Sequence, residues 1–171
     1  MQLHDKERAV DVIEFVQILK LVDDFYGDKF TLLDWQHSLL WDVYGTVKED
    51  GMRQYKTAYL EIPKKNGKTT LIAALALYHL TRDKPDGQIY CCAADREQAS
   101  LVYKAAVGML EQSVGLSKIL KLTASKKEIT NKNTRTTLKV LSSEAYTKHG
   151  LNPSVIIFDK NLSTMSEMAC A

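Results

Sequence analysis

The sequence predicts an α/β fold: a largely parallel sheet flanked by helices, built as one domain over residues 1–171. Three observations predict it. Strand-like and helix-like segments alternate, which is the signature of parallel pairing with helical crossovers. The stretch "EIPKKNGKTT" (Glu61 to Thr70) places a glycine-lysine-threonine turn between an apparent strand and a strong helix former. The run "SVIIFD" is short, continuously apolar and ends in Asp159, as a strand buried on both faces reads.

The elements follow in order. Ala9, Val12, Ile13, Val16 and Leu19 recur at helical spacing, and Asp5, Glu7, Asp11 and Glu14 lie near that helix's start, where its dipole favours them. A second helix starts near Asp34 and closes at Gly45. "YKTAYLEI" then reads as a short strand, broken between Pro63 and Gly67. "KTTLIAALALYHL" is apolar on nearly every side, so this helix is expected to lie buried against the sheet. "GQIYCCAA" is the next strand. "DREQASLVYKAAVGMLEQS" is the next helix, with Asp95 expected as its cap. Beyond Lys118 the pattern turns strand-like and polar: "KEIT", a turn at Asn131 to Asn133, then "TRTTLKVLSS", which together predict a β-hairpin without the usual glycine turn.

Composition narrows the class. The apolar and charged fractions, 45% and 26%, are those of a soluble globular chain. No apolar run is long enough to span a bilayer, and the N-terminus lacks a signal-peptide core, so a cytoplasmic location is expected. Cys91, Cys92 and Cys170 form neither a disulfide framework nor a zinc pair; buried apolar roles are expected. His37, His79 and His149 match no metal pattern. Net charge is only +2 but uneven. Asp5, Glu7, Asp11, Glu14, Asp23, Asp24 and Asp28 crowd the first thirty residues, while Lys118, Lys121, Lys126, Lys127, Lys132, Arg135 and Lys139 stand against Glu128 alone. The basic stretch is either a nucleic-acid face or a solvated hairpin.

A phosphate loop must turn sharply between a strand and a helix and present backbone N–H groups at the helix N-terminus. Gly67, Lys68 and Thr69 fit the end of the pattern GxxxxGK[ST], but Ile62 stands where its first glycine belongs. Lys68 is expected on the β/γ-phosphates and the Thr69 hydroxyl on Mg²⁺. Asp159, at an apolar strand tip, is the residue type and position that holds the same Mg²⁺ through water.

Together, "FTLLDWQ", "EIPKKNGKTTLIAALALYHL", "CCAADREQASLVYKAAVGMLEQS" and "HGLNPSVIIFD" resemble successive motifs of the tailed-phage terminase large subunit, the ATP-driven motor that packages DNA into procapsids. The likeness runs from about Phe30 to Asp159 and points to its N-terminal ATPase domain, a P-loop NTPase. It implies ATP and Mg²⁺ as ligands, with Pro63, Lys65, Asn66, Gly67, Lys68, Thr69 and Thr70 forming the loop. It implies that Lys64 senses the γ-phosphate, although the family usually has Arg there, whose planar fork Lys lacks. It also implies that Gln36 reads the adenine edge with Trp35 nearby. The partners it implies are double-stranded DNA, a portal, a small terminase subunit and possible further copies of the chain.

The chain departs from that family after Asp159. The next residue should be a glutamate that polarises the attacking water; here it is Lys160, which when protonated accepts no proton. "NLSTMSEMACA" does not resemble the expected continuation, and no nuclease domain follows, so a truncated copy is expected. In this fold class a further strand inserts between the acidic strand and the phosphate-loop strand. That strand is expected to come from beyond Ala171, leaving a marginal monomer, a rearranged sheet or a strand borrowed from a second copy. The function expected is therefore an ATP-binding packaging motor domain with impaired hydrolysis. The alternatives are a non-enzymatic prophage remnant or partner-binding module, and a helicase-like, nucleic-acid-stimulated ATPase.

Overall fold

The computed structural model describes residues 3–63, 65–93, 96–142, 152–160 and 165–170. Lys64, Asp95 and His149, all singled out above, lie outside them. Helix α1 (Lys6–Ile18) opens at Asp5, whose carboxylate accepts from the Arg8 N–H and so satisfies one orphan donor of the first turn. Ala9, Val12, Ile13 and Val16 are buried on one side, the side that the sequence spacing selects. Helix α2 (Asp34–Gly45) has the expected bounds. Two short strands, β1 (Leu3–His4) and β2 (Thr46–Val47), pair antiparallel across it; two residues each are too few to show a period in sequence.

Among the described residues the main sheet has seven strands: β3 (Thr57–Glu61), β4 (Gln88–Ala93), β5 (Leu120–Thr123), β6 (Glu128–Asn131), β7 (Thr137–Ser142), β8 (Val155–Lys160) and β9 (Met165–Cys170). Across the sheet the order is β3-β9-β8-β4-β7-β6-β5. Parallel pairing is confined to the centre, where β4 lies between β7 and β8. Both flanks are antiparallel; β5–β6, β6–β7 and β8–β9 are joined by short connections, whereas β3 and β9 are far apart in sequence. The β6–β7 hairpin is the one that the sequence predicts. Its turn works without glycine because Arg135 takes the left-handed conformation at φ 60. Arg135 is pinned there by two 2.7 Å bonds from its guanidinium to Asp86. Asn131 completes the turn, its Oδ1 accepting from the N–H groups of Asn133 and Thr134.

One expectation is overturned. The slot between β8 and the phosphate-loop strand β3 is not left for a strand from beyond Ala171. Strand β9 of the same chain fills it, antiparallel to both neighbours, with Met168 level with Ala58 on one side and Ile157 on the other. The reason is length. Only four residues separate β8 from β9, enough for a hairpin return, whereas a parallel insertion needs a crossover of about a dozen residues or more.

Helix α3 (Lys68–Arg82) is buried along most of its length, as its composition predicts. It packs on helix α4 (Arg96–Glu111) and one face of the sheet, in a cluster that joins Leu71, Leu75 and Leu77 to Val102, Met109, Ile89 and Ile157. A small helix, α5 (Val114–Ile119), follows with Ser113 as its cap. At the far end of α3 the buried His79 lies 2.9 Å from the Tyr44 hydroxyl and 3.0 Å from Asp83. A carboxylate only accepts, so Nδ1–H donates to Asp83, and in the neutral ring Nε2 accepts a hydrogen bond from the Tyr44 O–H. Tyr78 and Arg82 both donate to Asp11, tying α3 to α1. On the opposite sheet face Tyr90, Cys92 and Ile156 form a smaller cluster with Leu141 and Phe158. Cys91 and Cys92 are both buried, and burial pushes the Cys92 thiol up to about 11. Among the described residues no helix is long and apolar enough to cross a membrane.

Candidate nucleotide-binding site

Strand β3 delivers the chain to one end of the sheet and α3 carries it away. Between them the backbone turns through two left-handed residues, Lys65 at φ 67 and Gly67 at φ 74. These positions explain how the loop dispenses with the usual first glycine. Left-handed geometry is needed at 65 and 67, not at Ile62. Gly67 meets it without strain, whereas a residue with a Cβ pays roughly 1–2 kcal/mol. Asn66 closes the turn, its Nδ2 donating to the Pro63 carbonyl at 3.1 Å.

Gly67 is also the N-cap of α3, and having no side chain it makes no cap bond of its own. First-turn N–H groups have no i−4 acceptor in any α-helix, and the positive end of the dipole lies there. Lys68, Thr69 and Thr70 form this first turn, each half-buried. Lys65 and Asn66 are exposed. The loop thus joins a left-handed turn, a helix N-terminus and a lysine and a threonine in that first turn, which is the donor set that a polyphosphate requires.

Gln36 sits beneath the loop. It is 2% exposed, and its Oε1 accepts from the Leu33 N–H at 3.0 Å, closing the start of α2. Its Nε2 faces the loop: a Cβ added at Gly67 would lie 3.1 Å from it. The family resemblance implies an adenine reader; the amide lies against the phosphate loop, with Oε1 bonded to the Leu33 N–H. Trp35 packs against the main core.

Register brings the acidic strand to the same end. Strand β3 runs parallel to β8, since each is antiparallel to β9. Asp159 stands level with Ser166 and Leu60, and Lys160 level with Met165 and Glu61, the last residue of the phosphate-loop strand. Two strand spacings, about 10 Å, separate the backbones of β3 and β8. Glu167, which in sequence has no connection with the site, lies on the intervening strand, level with Tyr59 and Phe158. Its sequence context sets it apart from the site, because nothing in "NLSTMSEMACA" announces a central strand. The Asn66 bond and the packing of Gln36 on Gly67 likewise have no signal in the sequence.

Most of the basic stretch is internally engaged. Lys127 donates to Ser100 at 2.7 Å, Lys132 to the Lys118 carbonyl at 2.9 Å, Arg135 to Asp86, and Lys139 lies 3.2 Å from Glu128. Lys118, Lys121 and Lys126 are exposed.

The family model described as "Terminase large subunit, ATPase domain" matches residues 34–170. The chain belongs to that family. It is 33% identical over 157 residues to the terminase large subunit of Enterobacteria phage HK97, covering 90% of this chain and 30% of that one. The crystal structure of the HK97 bacteriophage large terminase superposes with a TM-score of 0.77 at 34% identity, over 89% of this chain and 31% of the other. The chain therefore spans about a third of the length of these relatives. The matched terminase region contains both the phosphate loop and the strand that carries Asp159.

Proposed function

We propose that the chain is the ATP-binding motor domain of a phage DNA-packaging terminase large subunit, working in the host cytoplasm, with hydrolysis impaired by Lys160. The observation that carries the nucleotide reading is the loop itself: left-handed Gly67 as the N-cap of α3, with Lys68 and Thr69 in the first turn of that helix. In this reading Pro63, Lys65, Asn66, Gly67 and Thr70 shape the loop around the phosphates, and Lys68 pairs with the β/γ oxygens. Lys64 senses the γ-phosphate by resemblance. Thr69 and Asp159 are the residues that would hold magnesium, and their oxygen donors suit a hard cation. Magnesium, when bound, offsets charge on the phosphate oxygens. Gln36 reads the adenine edge by resemblance, and its Nε2 lies beside Gly67 of the loop. The second reading, a non-enzymatic remnant that binds partners, is favoured by Lys160 alone. The family match supports a terminase rather than a helicase-like ATPase.

Calorimetry with Mg·ATP tests this, comparing the chain with Lys68→Ala. A charge-assisted bond to phosphate contributes about 1.5–3 kcal/mol, so Lys68→Ala is expected to bind about 10- to 150-fold more weakly. Equal affinity in both proteins, or no binding in either, would remove the nucleotide reading.

The proposed substrate is double-stranded DNA, with a portal, a small terminase subunit and further copies of the chain as proposed partners. Lys118, Lys121 and Lys126 are the cations of the basic stretch best placed to meet phosphates. Each phosphate contact contributes about 0.9 to the slope of log K against log salt, so replacing all three by Ala is expected to reduce that slope by about 2.7 in a duplex-binding titration. An unchanged slope would put the DNA on another face.

A further inference from the structure

The phosphate loop holds Lys65, a residue with a Cβ, at φ 67. Such a conformation persists only where the surroundings over-determine it. The constraint visible here is the side chain of Asn66. Its Nδ2 donates across the turn to the Pro63 carbonyl, three residues back, at 3.1 Å. This bond encloses Lys65. Asn66 is itself exposed, so it is not held in the loop by burial. Its sequence neighbour Gly67 supplies the second left-handed residue and the start of α3. The turn is therefore shaped at both ends: by a side-chain bond at 63–66 and by glycine at 67.

We infer that Asn66 is a positioning residue for the phosphate loop: by bonding the Pro63 carbonyl it keeps Lys65 left-handed and presets the loop for phosphate. This inference rests on the nucleotide reading for its consequence, though not for its geometry. In the usual pattern an additional glycine makes the turn easy. Here Ile62 occupies that place, and the Asn66 amide restricts the loop instead. Presetting a loop raises affinity by removing an ordering cost from the binding step. Asn66 thereby acts through the backbone, without needing to touch the nucleotide.

The test combines a nucleotide-free readout with a binding readout. The loop carries Lys64 and Lys65, so trypsin cuts it wherever it opens. In the nucleotide-free chain Asn66→Ala is expected to be cleaved after Lys64 about fivefold faster, normalised to the same bond in urea-unfolded protein. Losing one hydrogen bond of ordinary strength corresponds to about that factor. Mg·ADP affinity is expected to fall by a similar factor, with the urea midpoint lowered by no more than that same factor in the folding equilibrium and the m-value unchanged. In a Lys65→Gly background, where positive φ carries no steric cost, Asn66→Ala is expected to weaken binding less. Unchanged cleavage in Asn66→Ala would overturn the inference. So would an equal loss of affinity in both Lys65 backgrounds, which would mean a direct contact with the nucleotide. If the unaltered chain binds Mg·ADP and Lys68→Ala does not, the nucleotide reading stands whatever Asn66→Ala does. If neither binds, that reading falls, and the cleavage rates alone decide for or against the Asn66 bond.

Discussion

Lys160→Glu is expected to raise phosphate release from Mg·ATP by roughly 100-fold or more, because a positioned general base typically contributes about 10²–10⁴. The expectation follows from register. Position 160 is level with Glu61, where the phosphate-loop strand ends. It directly follows Asp159, the proposed magnesium residue. A carboxylate there can accept a proton from water or orient it, and an ammonium group can do neither. Lys160→Gln separates the two effects. It removes the positive charge without supplying a base, so its rate should stay near that of the unaltered chain. If Gln raises the rate as much as Glu does, the lysine was an electrostatic obstacle and no base was missing. Turnover in the unaltered chain would show that another carboxylate serves. Glu167, carried by β9 between the two site strands, is the first to replace, as Glu167→Gln.

How much of this was legible depends on how local each cause is. The α3 helix could be read from its own residues, because Ala and Leu at nearly every position leave no polar face to expose. Strand β8 was legible for the same reason. The approach of Asp159 to the loop was legible as a pattern, since the fold class places both at the same ends of parallel strands. The β6–β7 turn was placed correctly, but its mechanism was not. Arg135 owes its left-handed backbone to Asp86, 49 residues earlier, and no local signal records that pairing. The loop was similar. Glycine at 67 announced itself, but the left-handed Lys65 and the Asn66 bond depend on the turn once formed. The adenine role of Gln36 comes from the family resemblance, and no local signal announces that this polar side chain is buried. Its burial follows from α2 starting directly under Gly67, a tertiary fact. Strand β9 was the largest omission. Met165 to Cys170 is a weak strand by composition, and what recruits it is the unpaired backbone of two neighbouring strands, visible only after the sheet has been assembled.

That recruitment has a measurable consequence. Met168→Pro is expected to destabilise the domain by roughly 3 kcal/mol or more, the cost of a proline inside a regular hydrogen-bonded element. Met168 pairs with Ala58 on β3 and with Ile157 on β8, so β9 has a neighbour on each side and no edge on which a proline is tolerated. Removing its N–H leaves an acceptor on one neighbour unpaired, and Ile157, fully within the core, cannot turn to water instead. Set against a total stability of about 5–15 kcal/mol, this is a large fraction. For a domain of this size it corresponds to a melting temperature lower by about 6–12 °C. Deleting residues 161–171 should cost at least as much and should expose the facing edges of β3 and β8, which are then free to pair between copies. Sedimentation of that shortened chain should show association where the full chain shows less. A Met168→Pro chain as stable as the original would mean that β9 does not hold the slot, and that the phosphate-loop strand is supported from elsewhere. Because β9 is what joins β3 to β8, its loss should also weaken nucleotide binding, even though none of the residues proposed to touch the phosphates has been changed.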